Sequence, residues 1–111
     1  MKAEDIRGII AGQLGEKRSE ANTQGVVLDE SLVGPEQIQV IDRSGETDQV
    51  VDAWLVMIEN PKGATDDEKG HRIVAKLDGS LFGLALAGLP EDSHLVCIGW
   101  YDNFKEALEA M

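Results

Sequence analysis

Cysteine, histidine and basic charge are all scarce in this sequence of 111 residues, and each scarcity excludes something. The single cysteine, Cys97, has no partner for an internal disulfide. Together with His71 and His94 it also falls short of the thiol and imidazole donors a structural metal site uses. No cofactor motif compensates: no lysine follows a glycine-rich turn, and the dinucleotide fingerprint is missing, so Gly79, Gly83 and Gly88 form no phosphate loop. No stretch approaches the ~20 apolar residues that span a bilayer. The first turns place Lys2, Glu4, Asp5 and Arg7 among the apolar residues, unlike the core of a signal peptide. A reducing cytoplasm is the expected compartment.

What is present in excess is acid, with 21 acidic against 10 basic side chains. The imbalance is local: residues 25–68 hold eleven acids against Arg43 and Lys62 alone. Such a field repels phosphate backbones and anionic lipid, and Lys17 and Arg18 form no basic stripe because Glu16 and Glu20 flank them. Nucleic acid and membrane are therefore not expected partners, whereas a basic protein is compatible.

Length and a 42% hydrophobic content suit one ordinary domain, residues 1–111, with a single core. Ala3, Ile6, Ile10 and Leu14 recur at helical spacing, although Gly8 and Gly12 weaken that helix or give it a smooth stripe for close approach. Gly15 to Gly25 reads as a connector. Val26 to Leu28 and Gln37 to Asp42 read as strands, with Gly34 and Pro35 punctuating the chain between them. Val50 to Ile58 is apolar on both alternating faces except for Asp52, the pattern of a strand covered on both sides. Asn60 to Gly70 is loop by composition. His71–Leu77 and Ser80–Ala87 flank Asp78 and Gly79, a pair that favours a type I′ hairpin with Ala75 opposite Phe82 and Ile73 opposite Leu84. Leu95 to Tyr101 is a last strand. Asp102 is the expected N-cap of a closing helix whose Phe104, Ala107, Leu108 and Met111 face the core. Lys105 stands where a capping box needs Glu.

This order predicts an α+β fold: an antiparallel meander of five or six strands with the N- and C-terminal helices packed on one sheet face. Two short helices cover one face, so the second apolar face of Val50–Ile58 implies a homo-oligomer.

The residues singled out for binding are Asp52, Trp54, His71, Trp100 and Tyr101. Asp52 interrupts the most apolar strand, where burial would raise its pKa and make it a base or ligand anchor; at a strand end it is merely solvated. His71 sits at the open end of the hairpin, placed to pair with an acid of residues 66–68. Trp54, Trp100 and Tyr101 are either anchors of a binding surface or core packing. Cys97, in an apolar strand, reads as a buried inert thiol. Glu91, Asp92, Ser93 and His94 lie too close in sequence to converge as a triad. Asp66, Asp67 and Glu68 lack calcium-loop spacing, and Ala53 occupies the twelfth position counted from Asp42. No catalytic residue and no metal ligand is assigned. The expectation is a small acidic, non-enzymatic interaction module, of the inhibitor kind carried by bacterial accessory genes. The alternative is a small-molecule binding protein or enzyme, with its pocket between sheet and helices or at a subunit interface.

Overall fold

A computed structural model describes residues 2–14, 32–87 and 94–110. The expected strand at Val26–Leu28 and the connector before it lie outside these residues. In chain order the elements are α1 (Ala3–Leu14), β1 (Leu32–Asp42), β2 (Gln49–Ile58), α2 (Asp66–Lys69), β3 (Arg72–Lys76), β4 (Phe82–Leu86), β5 (Leu95–Tyr101) and α3 (Phe104–Glu109). No described helix is long and apolar enough to cross a membrane.

The α+β class, the meander order and the two terminal helices match expectation, but the sheet is not open. β1 through β5 close into a barrel, with β1 pairing β5. Each strand runs antiparallel to the next, so with five strands the first and last point the same way and the seam must be parallel. It pairs Val40 with Leu95, Ile41 with Val96 and Asp42 with Cys97. Closure needs strongly coiled strands, and three bulges supply the bends. Val33, Gly34 and Pro35 together oppose Val56, so the expected break at Gly34–Pro35 is instead a distortion inside β1, at a point where proline has no N–H to offer a ladder. Val56 is the extra residue of β2 against β3, and Ile98 the extra residue of β5 against β4.

The two faces of the sheet have different fates. Val40, Ala53, Val74, Ala85 and Cys97, one from each strand and none from a helix, form a cluster that fills the barrel interior. They are small because the bore of five strands is narrow. Gly83 is the limiting case: a Cβ there would stand 2.7 Å from Cys97 Sγ and 2.9 Å from the Trp100 ring. The outer face of β2, β3 and β4 carries Trp54, Val56, Met57, Ile73, Ala75 and Phe82, covered by Ile6 and Ile10 of α1 and by Phe104, Ala107 and Leu108 of α3. Phe82 and Phe104 meet edge to face at 5.9 Å. Both helices thus share one side of the sheet, as expected. The second face of β2, for which a homo-oligomer was expected, is the barrel interior, so β2 supplies no ground for a partner subunit.

Local signals were partly displaced. The hairpin register is as read, with Ala75 opposite Phe82 and Ile73 opposite Leu84. The turn is not type I′, because that needs positive φ at both central residues and only Gly79, at φ 72°, has it. Gly79 N–H donates to the Lys76 carbonyl at 2.8 Å, and Lys76 N–H to that of Leu81 at 2.9 Å. The cap of α3 is Asn103, not Asp102: its side chain accepts from Glu106 N–H at 2.9 Å. Glu106 then occupies the position sequence reading gave to Lys105, and its carboxylate accepts from Asp102 N–H at 3.3 Å. Gly8 and Gly12 face open space, which removes the close-approach stripe.

Candidate functional site

At the end of the barrel where β1, β3 and β5 terminate, an open groove of about 500 Å³ is lined by Asp42, Val50, Asp52, Lys76, Asp78 and Trp100, among others. Alternation along the strands accounts for its polar character. Val40 and Val74 point inward, so Asp42 and Lys76, two residues on, occupy the same face where the interior opens to water. Trp100 joins them through the bulge at Ile98. Without the extra residue, Cys97, Gly99 and Tyr101 would share a face and Trp100 would point the other way. With it, Trp100 pairs with Gly83 and packs against the interior cluster.

The indole is held at both its edge and its face. Its Nε1–H donates to Asp42 Oδ2 at 3.1 Å, and Lys76 Nζ sits 5.1 Å from the ring centroid. Burial works against ionisation of Asp42, but hydrogen bonds from the Ser44 hydroxyl, the Ser44 N–H and Trp100, with Lys76 nearby, outweigh it and hold the carboxyl below its usual range. Hydrogen bonds from Ser80 likewise lower Asp78, assisted by Lys76. Asp52 is exposed at the rim, and its carboxylate makes no hydrogen bond or ion pair with a described residue. The mouth therefore sets three carboxylates against one ammonium, beside an aromatic face. Apolar rim comes from Val50, 57% exposed, and Leu77, 36% exposed.

Of the five residues singled out in the sequence, Asp52 and Trp100 line this groove. The exposure of Asp52 removes the burial on which its reading as a base depended. Trp54 is buried in the cluster that α1 and α3 cover, and its Nε1–H donates to the carbonyl of Leu77, a residue of the mouth, at 3.4 Å. Tyr101 packs against the helix-side cluster. His71 lies at the opposite end of β3, where its N–H donates to Glu59 Oε1 at 3.0 Å and its Nδ1 lies 3.0 Å from the same oxygen. Its partner among the described side chains is Glu59, an acid the sequence reading did not single out. Burial opposes ionisation of Glu59, but the bonds from His71 prevail and lower its carboxyl.

Asp42, Lys76 and Asp78 were missed as site residues. Lys76 was visible, with Arg72, as a charge on the semi-polar hairpin face that also holds Val74, Leu81, Gly83 and Ala85, but what it faces depends on closure of the barrel. Among the described residues no cluster of histidine, cysteine and carboxylate groups is fit to hold a metal ion. No family model matches this chain, and neither does any curated protein or solved structure.

Proposed function

We propose that the protein is a non-enzymatic interaction module that takes a basic segment of a partner protein at the mouth of the barrel. The observation that carries this reading is the exposed carboxylate of Asp52, without a partner among the described residues, at the rim of a groove already floored by an indole and two further aspartates. Charge of this placement steers a cationic partner and fixes its register, while Trp100, Val50 and Leu77 offer the apolar contact that a salt-resistant complex requires. A small-molecule ligand is the second reading, favoured by a groove volume within the range of ligand sites. Its place would be the barrel mouth, since the layer between sheet and helices is filled by Phe82, Phe104, Met57 and Ile73, all fully buried.

The test is capture from lysate by immobilised wild-type protein and by an Asp52→Lys variant, with the bound proteins identified. Basic proteins that survive about 0.5 M salt, where exposed charges are screened beyond a few ångströms, and that are lost with Asp52→Lys, support the reading. A captured set indifferent to that substitution defeats it.

A further inference from the structure

The groove already contains an example of the ligand chemistry it takes. Lys76 Nζ lies over the Trp100 ring, yet its ammonium forms no ion pair with a described residue. What holds it is the indole face, backed by the longer-range field of Asp42 and Asp78. That face is pre-organised for a cation. Donation of Nε1–H to Asp42 fixes the ring orientation and pushes electron density into the indole, and Gly83 leaves the space in which the ring packs. The site is thus occupied in cis by a tethered cation at high effective concentration.

Resting on the basic-partner reading above, we propose that the Trp100 face is a receptor for an arginine side chain of the partner protein, and that Lys76 is its built-in competitor. A lysine from outside offers the same strongly hydrated ammonium that the tether already provides, so it gains nothing by exchange. A guanidinium is more weakly hydrated, stacks flat on an indole and forks onto a carboxylate, and Asp52 is the rim carboxylate without a partner among the described residues. Arginine therefore displaces Lys76 where lysine does not, and the competitor screens out weakly matched basic sequences.

The test uses the full chain labelled with ¹⁵N and follows the indole N–H resonance of Trp100, identified by its loss in Trp100→Phe. The probes are N-acetyl-arginine amide and N-acetyl-lysine amide, at low salt. The arginine probe should shift the resonance saturably and the lysine probe far less. Removal of the competitor in Lys76→Met, and independently in Lys76→Gln, should tighten arginine binding by about two- to fivefold, the worth of an exposed cation–π contact. A dispersed spectrum in each variant shows that it is folded. Binding that is unchanged or weaker in both Lys76 variants overturns the competitor, as equal response to the two probes overturns the preference for arginine. In either case, weaker binding by Asp52→Asn leaves the basic-partner reading standing. A Trp100 resonance that moves with neither probe in any variant overturns both.

Discussion

The indole N–H of Trp100, the penultimate residue of β5, donates to the carboxylate of Asp42, the last residue of β1. The bond reinforces the barrel just beyond the point where the backbone ladder between those two strands ends, at Asp42 and Cys97. Its partners' chemistry makes it sensitive to acid.

The folded pKa of Asp42 lies below its ordinary value of 3.8. Its contribution to stability is therefore complete above that value and is lost as pH falls through the lower folded value. Wild type should exceed Asp42→Asn by about 1 kcal/mol at neutral pH, the scale of one partly exposed charge-assisted hydrogen bond. Urea unfolding followed by tryptophan fluorescence should show the difference narrowing below about pH 4, because the other carboxylates titrate in both proteins. A difference independent of pH would rule out the carboxylate as its source.

Gly83 and Gly8 should respond oppositely to alanine. A methyl group at Gly83 meets Cys97 and Trp100 inside the barrel, and overpacking of this kind costs roughly 1–3 kcal/mol. At Gly8, inside α1, the methyl group meets nothing within 4 Å, and the helix gains about 1 kcal/mol. Denaturant midpoints of the two variants check both signs. Equal tolerance at Gly83 would mean that the interior is not filled.

The helix cap separates neighbours of similar chemistry. Asn103→Ala should lose about 1 kcal/mol, since it removes the acceptor for Glu106 N–H. Asp102→Ala should stay within about 0.5 kcal/mol, because only the backbone N–H of Asp102 takes part. Thermal unfolding of the pair decides between the two caps.

Burial pushes the Cys97 thiol up to about 11. At pH 8 it is almost wholly protonated and enclosed, so iodoacetamide should leave it unmodified in the native protein and alkylate it in denaturant, as whole-protein mass spectrometry would show. Rapid native labelling would contradict its place in the barrel interior.

What the sequence made legible was local. Asp78 and Gly79 lie within a tight connection, which sets the hairpin register even though the turn adopts a different type. Ile6, Ile10, Phe104, Ala107 and Leu108 fall on helical faces whatever the sheet does. Closure was not legible, because the seam joins residues about 55 apart and leaves no periodicity of its own. One signal did exist: the small residues Ala53, Gly83, Ala85 and Cys97 sit where a narrow bore needs them. The site suffered most from the bulge at Ile98, since a single extra residue exchanges the faces of Trp100 and Tyr101 and nothing in their composition announces it. Asp52 was conspicuous as a polar interruption, whereas Asp42 and Lys76 become neighbours of Trp100 only once the barrel is closed.

The parallel seam also sets an order of events. The four antiparallel pairings join strands adjacent in the chain and can form as each strand follows the last, but the β1–β5 ladder must wait for residue 97. On a ribosome, β1 is thus exposed along one edge throughout the synthesis of four further strands, a template for unintended pairing until β5 arrives. The N–H of Arg43, which donates to the Cys97 carbonyl at 2.9 Å, is the amide whose protection from hydrogen exchange would time the end of that vulnerable interval.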